Sequence, residues 1–290
     1  MRNAKTMLAK AKEIIMHGLF LLCACASILA VVLICVYLFA TGIPAMGEIG
    51  VTDFLFGMDW KPSGGCFGIF PMIIGSILVT GIAVLIGVPI GILCAVFMSH
   101  YCPKKVYAFM KPAVNLLAGI PSIVYGFFGL VFIVPLIRTL FGGAGKSLLT
   151  AGILLGIMIL PTVIKTSESS LNAVPKSCYE GARALGATHE RSVFFASLPA
   201  AKSGILAAII LGVGRAIGET MAVVMIAGNQ TMIPRSITSG VRTLTTNIVI
   251  EMGYATGLHR SALIATAVVL FVFILIINLC FSVLKRRKDK

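Results

Sequence analysis

The chain has 290 residues, of which 58% are hydrophobic and 12% charged, with a mean hydropathy of +1.03 and a formal net charge of +14. Soluble globular domains carry about 25% charge, so the composition excludes an ordinary soluble enzyme and indicates an integral membrane protein. The excess positive charge need not mean nucleic-acid binding, because most of it sits where membrane topology would put it.

In chain order, residues 1–17 form a basic segment with Arg2, Lys5, Lys10 and Lys12. The charge-free run 18–40 is too long for a signal-peptide core and lacks a clean small-x-small boundary, so it is read as a retained span. Further apolar runs cover 68–98, 113–137, 147–164, 203–227 and 261–284, followed by the basic tail 285–290. A run of about 20 apolar residues can cross the hydrocarbon core as a helix. Runs this uniform do not suit the alternating strands of a barrel. The expected fold is all-α, an integral membrane domain of six transmembrane helices over 18–284. Seventeen of the 24 Lys and Arg residues fall in the N-terminal segment, the connections around Lys104 and at 165–202, and the tail, which places both termini in the cytoplasm.

The eight cysteines lie mostly in spans or cytoplasmic connections and indicate no disulfide framework. The four histidines, His17, His100, His189 and His259, have no ligand spacing, and no metal is expected. Gly145-Lys146-Ser147 resembles the end of a phosphate-binding loop, but Leu140 stands where that loop needs glycine. Gly212, Gly214 and Gly218 do not have dinucleotide-binding spacing, and Gly214 with Gly218 is read as a GxxxG helix-packing pair.

Arg215 and Glu219 interrupt the fifth span. An ionisable group at the bilayer centre costs roughly 2.5 to 3.5 kcal/mol on insertion scales and normally faces a bundle interior or an aqueous path. At a spacing of four, the two side chains share one face of a continuous helix and can partly neutralise each other. One reading is a structural ion pair. The other is a substrate pathway, in which the arginine fork takes an oxyanion and Glu219 partners it when the anion has left. Arg235 and Arg242, in the outer connection 228–260, could also attract an anion, although a solvated face explains each more simply.

The 165–202 connection is far longer than a helix turn needs. Val174-Pro175 stops and restarts the chain, a short helix is predicted from Lys176 through Ala187 with Glu180 and Arg183 exposed, Gly186 breaks it, and a second runs from His189 to Ser197. Two short helices on a cytoplasmic face form a docking surface, or else an interfacial amphipathic segment.

Glu180-Gly181-Ala182, three residues, Gly186, nine residues and Ala196-Ser197-Leu198-Pro199 resemble the EAA loop of ABC-importer permeases in every spacing, with Gly181 and Ala196 departing from the usual residues. Four further segments extend the resemblance to permease subunits of phosphate-specific importers, of the PstC type. They are Phe56-Gly57-Met58-Asp59-Trp60-Lys61-Pro62, Phe67-Gly68-Ile69-Phe70-Pro71, Gly119-Ile120-Pro121-Ser122-Ile123-Val124-Tyr125-Gly126 and Gly214-Arg215-Ala216-Ile217-Gly218-Glu219-Thr220 with its continuation Met221-Ala222-Val223. The resemblance implies a type I ABC-importer permease fold in the bacterial cytoplasmic membrane, without enzymatic activity of its own. It implies coupling to an ATPase through Glu180, Gly181, Ala182, Arg183 and Gly186, and phosphate passage at Arg215 and Glu219. The implied partners are a PstA-like second permease, two PstB-like ATP-binding subunits that hold ATP and Mg, and a PstS-like phosphate-binding protein received by the outer connections 41–67 and 228–260. No cofactor is expected on this chain. A gradient-driven secondary anion transporter is the alternative, and the isolated histidines argue against a membrane-embedded enzyme.

Overall fold

A computed structural model describes residues 2–288; Met1, at the start of the basic N-terminal segment, and Asp289 and Lys290, at the end of the basic tail, lie outside the described residues. Helix α1 (Arg2–Ile49) is followed by α2 (Val51–Phe56) and a two-stranded antiparallel hairpin, β1 (Trp60–Lys61) with β2 (Cys66–Phe67), in which Trp60 faces Phe67. Then come α3 (Phe70–Val96), extended by a π-helical turn to Tyr101, α4 (Lys104–Gly119), α5 (Ser122–Phe128), a second π-helical turn, and α6 (Val134–Phe141). The rest comprises α7 (Leu148–Asn172), α8 (Lys176–Ala184), α9 (His189–Ser192), a third π-helical turn, α10 (Leu198–Ala200), α11 (Lys202–Gly218), α12 (Met221–Ile226), α13 (Leu244–Glu251) and α14 (Gly257–Lys288).

Among the described residues, five helical stretches are long and apolar enough to cross a membrane: Ile15–Ile49, Phe70–Tyr101, Ser122–Phe141, Leu148–Asn172 and Gly257–Cys280. The pair His189–Ala200 and Lys202–Gly218 passes the same test only when taken together, as a broken span or a re-entrant loop bent by 70°. The expected third run, 113–137, is divided. Its first part belongs to α4, and Pro121 starts α5, because the residue before a proline is pushed out of the helical region and proline suits a helix start; Ile120 has φ −69 and ψ 127. The fourth helix runs on to Asn172, well past the expected end at 164, so the inner connection is 173–201. The outer connection 41–67 is not a loop, since α1 continues to Ile49 and α2 and the hairpin occupy most of the remainder.

Helix α3 spans the molecule. It starts beside the hairpin and its extension ends at Tyr101, whose ring meets His189 of α9 edge-on at 4.7 Å. At 1.5 Å per residue the two ends are about 48 Å apart. The end with 173–201 is here called inner and the hairpin end outer, following the charge bias. The centre is α7, which packs along α3 and α11 and buries Leu154, Leu155, Met158 and Ile159. Between apolar helices in lipid, association depends on close packing rather than on escape from water. A Cβ at Gly87 of α3 would stand 2.6 Å from the carbonyl oxygen of Gly156 on α7, so this crossing requires a glycine. Around α1 the most hydrophobic stretch buries no residue within the chain. Its outer part packs on α14, with Phe39 edge-on to Phe271 at 5.9 Å.

Candidate functional site

Arg215 lies in the last turn of α11, where a cation is favoured by the helix dipole. Its Nη1 donates to Thr162 Oγ1 of α7 at 3.1 Å, directly after Pro161, and both residues are half-buried. The expected pairing of Arg215 with Glu219 on one helical face is not present. Helix α11 ends at Gly218, and Glu219 is extended, with φ −70 and ψ 131. The Glu219 carboxylate turns forward and accepts the backbone N–H of Ala222 at 3.3 Å in the first turn of α12, while its carbonyl accepts the Thr245 hydroxyl at 3.0 Å. The free N–H groups at the start of α12 and its positive dipole end supply the carboxylate with a partner in place of the guanidinium. A helix break at membrane depth is tolerated only where it is covered by protein or lines an aqueous cavity.

Gly214 and Gly218 also differ from expectation. A Cβ at either would meet nothing within 4 Å, so neither packs against another helix of this chain. Of Gly212, Gly214 and Gly218 it is Gly212 that packs closely, since its Cβ would stand 3.0 Å from Val163. The face carrying Gly214, Gly218 and Arg215 is left open, and among the described residues the only hydrogen bond of the guanidinium is to Thr162.

At the inner end, α8 carries Glu180, Gly181, Ala182 and Arg183, with Gly186 just beyond it in the left-handed region at φ +84. Glu180, Gly181 and Arg183 are exposed and Ala182 is half-buried. Arg183 Nη1 donates to the Ala187 carbonyl at 2.9 Å, tying off the turn. Leu185 is 92% exposed and Phe195 79%, an apolar pair standing out beside the charged helix. The structure therefore keeps these five residues together on one largely exposed stretch of the inner connection, away from the last turn of α11 that carries Arg215.

Two charged clusters were not read from the sequence. On the inner side, Glu168 of α7 is buried to 1% and accepts both Lys111 Nζ, at 2.7 and 2.8 Å, and Tyr107 OH, at 2.7 Å, which fastens α4 to α7. The bond to Glu168 holds the Lys111 pKa above its ordinary value. Lys111→Met, which removes the charge from a partly exposed side chain but leaves Glu168 buried on Tyr107 alone, is expected to cost about 1 to 3 kcal/mol. A lowered melting temperature of the purified protein would report it, and Lys111→Arg should restore most of the loss.

On the outer side Arg242 is neither solvated nor free. Its side chain is 13% exposed and donates to Glu251 Oε1 at 2.6 Å, to Asn247 Oδ1 at 3.0 Å and to the Asn229 carbonyl at 3.1 Å. Glu251 Oε2 also takes Trp60 Nε1 at 2.9 Å and His259 Nε2 at 2.8 Å. Arg235 is exposed, as expected.

Residues 87–290 match the family model described as "Binding-protein-dependent transport system inner membrane component". The chain is 38% identical over 285 residues to a probable ABC transporter permease protein, YqgH, of Bacillus subtilis, covering 94% of this chain and 91% of that one. It is 34% identical over 276 residues to the phosphate transport system permease protein PstC of Mesorhizobium japonicum, covering 87% and 84%. The PstC of Pasteurella multocida is 33% identical over 258 residues, covering 82% and 81%. Among solved structures, the chain resembles the MetNI methionine ABC transporter in inward-facing conformations, with TM-score 0.62 and 20% identity over 80% of this chain and all of that one. It also resembles a bacterial ABC transporter that imports alginate, with TM-score 0.59 and 15% identity over 91% and 95%.

Proposed function

The chain belongs to the family of inner-membrane components of binding-protein-dependent transport systems, and from that premise we propose that it is the permease subunit of an ATP-driven importer of inorganic phosphate. As a multi-pass ABC permease it supplies the membrane pathway and not the ATPase. Phosphate is favoured by the PstC relatives and carried by one observation: Arg215 lies in the last turn of α11 on an open glycine face, with Thr162 as its one hydrogen-bond partner among the described residues and Glu219 engaged elsewhere. A planar guanidinium anchored at one nitrogen keeps donors for two oxygens of a tetrahedral oxyanion.

In this scheme a PstA-like second permease closes the open face of α11. Two PstB-like subunits hold ATP and Mg and receive α8 with the exposed Leu185 and Phe195. A PstS-like protein delivers phosphate at the outer hairpin and the segment leading to α13. ATP-driven movement of α8 then exchanges outward and inward openings, and each nucleotide state must contact the permease differently for this to occur.

Purification of tagged protein from native membranes should recover a second permease and an ATP-binding subunit in near-equal amounts. Vesicles containing that complex and the binding protein should take up labelled phosphate only with ATP inside, and a large excess of sulfate should not compete. Competition by sulfate would reassign the substrate, and recovery of the chain alone would remove the ATPase coupling.

A further inference from the structure

Helix α8 has nine residues, none of them buried, and no side-chain cap at Pro175. An isolated helix of this length is not stable in water, so its position depends on what holds it. Tyr179 and Ala182 are its half-buried side chains, and Tyr179 is the one that packs with the inner apolar cluster of Leu171, Val193 and Ile205. The Tyr179 hydroxyl is bonded to His189 Nδ1 at 2.7 Å. The His189 ring stands edge-on to Tyr101 at the inner end of α3, and α3 lies along α7, which carries Thr162.

A second imidazole nitrogen is close by and without a partner. His100, the neighbour of Tyr101, has a buried Nδ1 without a hydrogen-bond partner among the described residues, and its ring centroid is 6.3 Å from that of Tyr179. Between α8 and the end of α3 is a cavity of about 270 Å³ with His100, Tyr179, Glu180 and Ser197 on its wall. One phenol thus lies near two imidazoles, one bonded and one without a partner, with open space on the His100 side. A buried polar atom without a partner is costly unless another state satisfies it.

We infer that Tyr179 is a two-position latch, bonded to His189 in this state and to His100 when α8 shifts, which makes it a positioning residue linking the coupling helix to α3. The inference rests on the ABC-permease assignment but not on phosphate as the substrate. A rigid packed element with two discrete arrangements is the physical requirement for transmitting movement between sites.

The test uses the complete reconstituted transporter. Tyr179→Phe keeps the ring and removes both bonds, so the complex should assemble in normal amount while the ATP hydrolysed per ion imported rises roughly threefold to tenfold, the weight of one hydrogen bond. His189→Phe and His100→Phe each remove one position, and they should change the ATPase rate without binding protein in opposite directions, each by a similar factor. Equal changes in the same direction, an unaltered ATP-to-ion ratio in Tyr179→Phe, or loss of assembled complex with that variant would overturn the latch. The ATPase and assembly readings stand whichever oxyanion is carried, so a failed substrate assignment is seen separately, as a wild-type complex that does not import phosphate.

Discussion

Arg215→Gln is expected to abolish phosphate uptake while the transporter still assembles and still hydrolyses ATP. Glutamine keeps a donor for Thr162, 3.1 Å from Arg215 Nη1, but has neither the charge nor the fork for two anion oxygens. Charge-assisted hydrogen bonds contribute roughly 1.5 to 3 kcal/mol each, so loss of a bidentate contact lowers uptake by about a hundredfold or more. Arg215→Lys, which keeps a point charge, should fall between the two. Uptake by membrane vesicles, read beside the amount of purified complex, distinguishes the outcomes: if Arg215→Gln prevents assembly, Arg215 holds helices together and the substrate pathway lies elsewhere. Glu219→Gln should be milder, because Glu219 is bonded to the start of α12 rather than to Arg215.

Glu251→Gln is expected to cost the outer end about 3 to 5 kcal/mol, since it leaves Arg242, 13% exposed, without its counter-charge. Burial pushes the Glu251 carboxyl pKa up, but hydrogen bonds from Trp60, Arg242 and His259 pull it down further, and it ends below its ordinary value of 4.5. A carboxylate with a lowered folded pKa stabilises fully above its unfolded value and loses that contribution as pH falls through the folded one. The gap in melting temperature between the wild type and Glu251→Gln should therefore be present down to about pH 5 and close at lower pH. A gap that is constant to pH 3 would mean that the charge on Glu251 carries none of the stability. Trp60→Phe, which deletes one of the donors and keeps the aromatic contact with Phe67 at 5.8 Å, should show a smaller version of the same profile.

The family was legible in the sequence, because the EAA-type spacing from Glu180 to Pro199 and the Gly214 to Thr220 segment are local strings, and the match over 87–290 bears that reading out. The role of Gly214 and Gly218 was not legible. Spacing marks which residues share a helix face but not whether another helix covers that face, and here it is Gly212 that meets Val163. The break before α5 could have been read from Ile120-Pro121, a local steric signal hidden within an apolar run. The partner of Glu168 could not, because Lys111 lies 57 residues away on an amphipathic helix, of which the apolar run 113–137 takes in only the second part.

By itself the sequence determined the membrane class, the helical runs, their charge bias and the family, since each depends on composition or spacing within one segment and the bilayer penalises every alternative. Tertiary structure alone decided where the charges point. Glu219 leaves Arg215 for α12, Arg242 leaves solvent for Glu251, and Tyr179 reaches His189 beside the vacant His100. The physical reason is the same in each case: a buried or half-buried polar group takes the partner that the packed helices bring within about 3 Å, and that partner is set by which helix ends meet rather than by distance along the chain.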